Sequence, residues 1–561
     1  MASTSSPEPP ARQLIVGCDG TNNTLTAGTR DTNVLRLYEH LRQHPAPQRV
    51  LYYDPGVGTP DSAPPTDPVD WLERTSERVA GLASGRGVYD NVSEAYRFLM
   101  QRYGAASDEI FLFGFSRGAF TVRCVAGMVS LFGILAPEHE ALLPTLIRIY
   151  FSLPEEGGNW LQKSTRRIHA TLSGNRGFGR KELAAQVRAD FTSPHGMHAS
   201  VHFIGVWDTV ESVGLPGPLS RSMPSTATVR DKRFRHVRHA LALDEKRWTF
   251  EPRLYEEPND IADPQQSLKQ RWFPGAHCDV GGSYPVAKSG LSDAALQWML
   301  DEARGCRLNV PPLAASPAQR VLHDALFDSA WWALAGMTLR NMQPTTSKDH
   351  VPITVIAAPV GASASVWAGR RPARPLGVAL FFGAVFLALS GACQLPGGWH
   401  VLDSWSGWSE AADAAAAFAG DQLAVLRCEG LWAALRDGQA LPGQPAWAMF
   451  WDLGFVVCWG YLLARIASHA FARLAGSRQP GAPQPAWRWL GMAPLVAVGG
   501  DVCEDLATLA ALALQGLGTD VAALLLIAVV GIAALVKWAG LVACVPLLLV
   551  RAWIAMPWVR R

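Results

Sequence analysis

Asp108-Glu109-Ile110-Phe111-Leu112-Phe113-Gly114-Phe115-Ser116-Arg117-Gly118-Ala119-Phe120 is the stretch whose reading decides the fold. Ile110 to Phe113 is a short apolar run of the kind a buried parallel strand shows, and beyond Gly118 the sequence becomes helix-like. The residues between, Gly114-Phe115-Ser116-Arg117-Gly118, predict a strand-turn-helix. In a Gly-x-Ser-x-Gly turn the serine backbone is strained, and glycines on either side let strand and helix approach closely. Ser116 then stands at the C-terminal edge of a sheet as a nucleophile. The backbone N–H of Arg117, opening the helix, is aimed at the same space as an oxyanion donor. A pattern with three fixed positions also arises by accident, but the flanking strand and helix weigh against that here.

Upstream, Gln13–Cys18 reads as a first strand running into the polar loop Asp19-Gly20-Thr21-Asn22-Asn23. Loops at the C-terminal ends of parallel strands line ligand crevices. A second oxyanion donor is expected from the backbone of Gly20 or Thr21, with Asp19 shaping the loop. A plain turn fits the same residues equally well. A helix over Asn33–Gln43, a strand over 49–53, a Pro-rich loop over 60–68 and helices over 69–82 and 89–103 follow. This alternation argues for a mostly parallel sheet flanked by helices.

Downstream, a helix over 120–135 backs the nucleophile, and the mixed segment 138–199, basic over 163–167, reads as an insertion or lid. The strand Val201–Trp207 ends at Asp208, the position of a triad acid that accepts the histidine Nδ1–H and stabilises the imidazolium. Alone, an aspartate there is also a turn former or helix cap. Residues 235–245 suggest a helix in which His236 and His239 are surface or packing histidines, since no metal ligand is spaced with them. In Trp272-Phe273-Pro274-Gly275-Ala276-His277-Cys278-Asp279-Val280-Gly281-Gly282 a strand leads into a glycine-bracketed histidine. His277 is the expected general base, taking the Ser116 proton and returning it to the leaving alcohol. Asp279 is a rival acid, though its place in the same loop suits a turn organiser better. An amphipathic helix over 291–303 closes the fold.

These motifs together resemble the α/β-hydrolase family that forms the catalytic domain of type VI secretion phospholipase effectors. The resemblance is carried by Asp19-Gly20-Thr21, Gly114-Phe115-Ser116-Arg117-Gly118-Ala119, Val206-Trp207-Asp208-Thr209-Val210 with Ser212-Val213-Gly214, and Trp272 to His277 with Asp279-Val280-Gly281-Gly282. It covers roughly residues 12–310 and keeps the order Ser116, Asp208, His277 of hydrolase folds. It implies a Ser-His-Asp hydrolase acting on phospholipid or another ester, needing no metal or organic cofactor. A secretion-system or immunity partner is left unspecified.

The chain departs from that family after the catalytic region. Only 17% of the 561 residues are charged, against about 25% in typical soluble proteins, and the deficit is concentrated after residue 375. A net charge of +2 gives no reason to expect nucleic acid as a partner. The nine cysteines are scattered singly, with no spacing for a zinc site or disulfide framework. Residues 1–12 lack the basic start and apolar core of a secretory signal and read as a disordered N-terminus. The expected organisation is a catalytic domain over 13–345, a linker over 346–374 and transmembrane helices over 375–561 with a polar connection over 394–446.

Candidate spans are 376–393, 447–463, 489–514 and 521–550, the last long enough to be tilted or broken and carrying Lys537. The first connection holds Asp403, Glu410, Asp413, Asp421, Glu429 and Asp437, whereas Arg465, Arg473, Arg478 and Arg488 follow the second span. The positive-inside rule then gives about four crossings with the hydrolase cytoplasmic, at a bacterial inner membrane. Asp501, Glu504 and Asp505 share one face of the third segment. They form either a polar site within the bundle opposite Lys537 or, the reading favoured by their insertion cost, part of an interfacial segment where the acids meet water. Two rivals to an esterase are a catalytically silent scaffold and a transporter with a regulatory soluble domain.

Overall fold

The alternation of side chains along the first strands already separates two apolar layers. In the computed structural model, residues 11–20, 31–56, 86–151, 180–210, 232–255, 265–314, 317–325, 334, 336–340, 444–475, 485–515 and 520–555 are described. Among them six strands, β1 (Gln13–Cys18), β2 (Arg49–Asp54), β3 (Glu109–Phe115), β4 (Val201–Trp207), β5 (Phe234–Ala242) and β6 (Ser267–Phe273), form one sheet in the order β2-β1-β3-β4-β5-β6. Every neighbouring pair is parallel.

Period-two geometry sends Leu14, Val16, Ile110 and Leu112 to one face and Ile15, Phe111, Phe113 and Phe115 to the other. On the first face they meet α2 (Arg86–Arg102) and α3 (Ser116–Phe132). On the second they meet α1 (Asn33–Gln43) and α7 (Gly290–Gly305). α1 is capped by the Thr32 hydroxyl, which accepts from Leu35 N, and buries Val34, Leu37 and Leu41 at helical spacing. Both faces of the sheet being covered, its strands read as nearly continuous apolar runs. Leaving β1, the chain pairs first on one side and then on the other, so the strand order reverses between β1 and β3. Ligands bind outside the carboxyl ends of strands at such a switch point.

The segment expected to be an insertion begins and ends as core. α4 (Leu143–Phe151) and α5 (Arg180–Phe191) contribute Leu143, Leu146, Ile147, Tyr150, Ala184 and Val187 to the α2–α3 layer. Its middle, like the helix expected over 69–82, lies outside the described residues. Residues 235–245 correct the sequence reading: most of this stretch is β5, fully paired between β4 and β6, not a helix. Its polar side chains find buried partners: Arg238 binds Glu302 at 2.5 Å and His239 Nδ1 meets Gln270 Oε1 at 3.2 Å.

The apolar C-terminal part contains α8 (Gln444–Ala475), α9 (Ala493–Gln515) and α10 (Asp520–Ala555). Among the described residues two stretches, Leu453–Ala475 and Ile532–Val550, are long and apolar enough to cross a membrane by length and composition. The second expected span therefore shifts toward the C-terminus, the candidate over 376–393 falls outside the described residues, and α9, which carries the three acids Asp501, Glu504 and Asp505, is not among these stretches. α10 is one helix despite Pro546, neither broken nor split. α9 and α10 approach closely through small residues, a Cβ on Gly500 coming within 2.5 Å of Lys537 N. The favoured interfacial reading of the α9 acids is corrected as well. Asp501 and Asp505 are buried, Lys537 lies 2.9 Å from Asp501 and 2.6 Å from Glu504, and Trp459 Nε1–H donates to Asp501 at 3.1 Å.

Candidate active site

The turn after β3 has the strain its sequence predicts. Ser116, the first residue of α3, has φ 56°, a left-handed value that L-residues other than Gly, Asn and Asp seldom adopt. The glycines are required by close approach. A Cβ on Gly114 would lie 2.5 Å from Gly118 O, and one on Gly118 would lie 2.5 Å from Asp19 O. Gly118 thus seats the start of α3 directly on the backbone of the β1 loop, joining two motifs far apart in sequence.

That loop is held by Asp19, whose Oδ1 accepts from Gly20 N at 2.8 Å and whose Oδ2 accepts from the Tyr53 hydroxyl at 2.9 Å and from the Thr32 hydroxyl. The Gly20 N–H expected to serve an oxyanion is therefore already engaged by its neighbour's carboxylate. Thr21 lies outside the described residues. Arg117 occupies the first turn of α3, where backbone N–H groups have no intrahelical acceptor. Burial lowers its guanidinium to about 10, so it stays charged at neutral pH.

Asp208 follows β4 with φ 41°, and the pairing of Phe115 with Trp207 sets it beside the Ser116 turn at the same sheet edge. His277 opens the short helix α6 (His277–Gly281) after β6. Its Nδ1 lies 2.5 Å from Asp208 Oδ2. Both side chains are buried, and the imidazole ring is 4.5 Å from that of Phe115, the residue preceding Ser116. With Nδ1–H given to the carboxylate, Nε2 keeps its lone pair and is the basic nitrogen. Burial lowers the His277 pKa, and its hydrogen bond to Asp208 only partly offsets this, so the ring is neutral at pH 7. For Asp208, burial acts upward, yet the charge of Arg340 and the bond from His277 outweigh it and hold the carboxyl well below its usual range.

Asp279 is not in this pair. Its Oδ2 accepts from Ala276 N at 2.9 Å, capping α6, and its Oδ1 lies 2.6 Å from His323 Nδ1. Three residues with no role in the sequence reading surround the pair. Glu245 is buried, accepts from His277 N at 3.2 Å and is paired with Arg247 at 2.8 Å. Arg340 reaches both oxygens of Asp208. A lone arginine well beyond the last strand of the sheet carries no local pattern that marks it, and only the fold brings it here. Among the described residues no group of three or more His, Cys, Asp or Glu side chains is arranged to hold a metal ion.

A strained serine turn beside a carboxylate-supported imidazole at the strand ends suits acyl transfer. The comparisons with known proteins point the same way. A family model described as "T6SS, Phospholipase effector Tle1-like, catalytic domain" matches residues 12–302, which include Ser116, Asp208 and His277. The uncharacterized protein YEL023C of Saccharomyces cerevisiae is 29% identical over 243 residues, 43% of this chain and 32% of that protein, so the chain spans about a third of that relative's length. By the match over 12–302, the chain belongs to the Tle1-like phospholipase effector family of type VI secretion systems through its catalytic domain.

Proposed function

We propose that the protein is a membrane-anchored serine esterase that cleaves phospholipid acyl esters with Ser116, His277 and Asp208. The observation that carries this reading is the buried His277–Asp208 pair, 2.5 Å apart, at the sheet edge where the strained Ser116 turn emerges. Ser116 attacks the acyl carbonyl as its proton passes to His277 Nε2, Asp208 stabilises the imidazolium, and the Arg117 N–H receives the developing oxyanion. His277 then protonates the leaving alcohol. A water molecule, deprotonated in turn by His277, releases the acid.

The anchor is α8 and α10, with α9 packed against them once Lys537 neutralises part of its charge. The arginines toward the end of α8 and before α9 support a cytoplasmic hydrolase at a bacterial inner membrane by the positive-inside rule. Anchoring holds the crevice beside its lipid substrate. The test is a panel of phospholipids and neutral esters presented to wild type and Ser116→Ala, with products resolved by mass. Wild type releases free fatty acid and lysolipid, and Ser116→Ala lowers the rate by on the order of 10³-fold or more. Equal hydrolysis by the two proteins ends the serine mechanism.

A further inference from the structure

The Asp208 carboxylate is gripped from two sides. Besides His277, it receives Arg340 Nη1 on Oδ1 at 2.5 Å and Arg340 Nη2 on Oδ2 at 2.8 Å, while Ala242 N–H donates to Oδ1 at 2.9 Å. The same guanidinium donates to the carbonyls of Ala242 at 2.7 Å and Phe250 at 2.6 Å. Both side chains are sealed, at 1% and 0% exposure. A planar fork matched to both carboxylate oxygens fixes the rotation of the acid, which a single-point cation does not.

Arg340 lies beyond the residues that match the catalytic family, on a strap, 336–340, with contacts on both sides. Toward the hydrolase, Trp248 N donates to Gly336 O at 3.0 Å and Thr338 N to Lys246 O at 2.8 Å. Toward the helices, Met337 N donates to Gly491 O at 2.8 Å, and Met337 and Leu339 are buried with Ala464, Ala467, Phe471 and Leu547. We propose that Arg340 is a positioning residue for the Asp208 carboxylate, and that the strap carrying it makes the apolar helices part of the catalytic unit. This rests on the Ser116–His277–Asp208 reading above.

The consequence is a specific pH signature. The charged or titratable groups around the pair are His277 on α6, Arg340 on the strap, His239 on β5, and Glu245 with Arg247 in the loop after β5. Arg340 and His277 share one carboxylate, so withdrawing the Arg340 charge leaves more of the Asp208 charge to the imidazolium, and the ring takes up a proton at higher pH. A protonated ring cannot take the Ser116 proton. The acid limb of kcat/KM therefore moves upward.

The experiment measures kcat and KM against pH for the full chain in detergent, on one ester that wild type hydrolyses, with thermal unfolding as a check on folding. Arg340→Gln is expected to lower kcat by about 10²-fold with little change in KM, and to raise the acid limb by roughly 1–3 pH units. Arg340→Lys recovers part of the rate and returns the limb toward wild type. If the glutamine variant does not fold, the lysine variant decides, with a smaller shift in the same direction expected. Gly491→Ala, whose Cβ would run into the Met337 carbonyl, gives the same signature in weaker form at a position with no titratable group. A wild-type profile in Arg340→Gln beside an inactive Ser116→Ala overturns the role of Arg340 and leaves the triad standing. Lost rate with an unmoved limb makes Arg340 merely structural and overturns the proposal equally. An unchanged Gly491→Ala removes the helices from it. An active Ser116→Ala removes the triad on which it rests.

Discussion

Ser116 and Asp208 both hold left-handed backbone at strand ends, and the two positions differ in what that costs. Aspartate can hydrogen-bond locally in this region, whereas a serine at φ 56° carries strain of about 1–3 kcal/mol that the nucleophile turn imposes. Ser116→Gly and Ser116→Ala both remove the hydroxyl, but only glycine relieves the backbone. The glycine variant is expected to be the more stable of the two by about 1 kcal/mol, both being inactive, as read by unfolding midpoints in detergent. The base makes a second prediction at this scale. Because burial lowers the His277 pKa, the catalytically competent neutral ring persists below the ordinary value of 6.5. The kcat/KM of wild type should be level between pH 7 and 8 and fall only on an acid limb below 6.5. A limb above 6.5 would mean that the bond to Asp208 outweighs the burial of the ring. The places of Ser116, Asp208 and His277 at the strand ends were legible because each follows a strand and sits among turn residues. Glu245 and Arg340 were not, since their positions matter only through partners that folding supplies.

The decisive element is the β3–turn–α3 unit, where closeness of backbone is the design constraint. Gly118→Ala introduces a Cβ 2.5 Å from Asp19 O, a backbone atom that cannot swing away. It should cost about 1–3 kcal/mol and lower kcat as the Ser116 turn lifts off the β1 loop, measured as a loss in unfolding midpoint together with turnover. Strands β1 and β4 were readable to the residue because both are apolar runs ended by Asp. β5 was misread because Arg235, His236, Arg238 and His239 break its apolar pattern at helix-like spacing. The partners of Arg238, His236 and His239 are Glu302, Ser267 and Gln270, side chains of other elements that no local window contains. That burial has its own pH cost. Burial, aided by neighbouring cations, lowers His239 to about 3 and, with His202 beside it, His236 to about 4, so below pH 6.5 the unfolded chain binds protons that the folded chain refuses. Folded-state stability is then full above 6.5 and falls as the pH drops toward 4, by up to about 1.4 kcal/mol per pH unit for each ring. An unfolding midpoint that does not fall over this window rules out two rings held neutral by the fold.

At the scale of the whole molecule, the hydrolase and the helices share the strap, so events inside the helix bundle have a route to the active site. Lys537 is the charge that makes α9 compatible with its apolar neighbours, lying between Asp501 and Glu504. Composition marked the acids and the lysine, but helical spacing along one segment cannot say that the two segments fold into a close pair. Small residues at Ala497, Gly500, Ala533 and Gly540 bring the backbones together. Lys537→Met leaves two carboxylates without their cation in a buried setting, an effect worth about 3–5 kcal/mol when one partner of a buried pair is removed. The triple variant Asp501→Asn, Glu504→Gln, Lys537→Met removes the charges together and should restore most of that loss. The expected measurement is a lowered unfolding midpoint for the single variant in detergent, recovered in the triple. Hydrolysis should follow the same order, because α9 begins at Ala493, immediately after Gly491 and Met492, which contact the strap. If the single variant unfolds early yet turns over substrate like wild type, the helices and the active site are energetically separate, and the strap only tethers them.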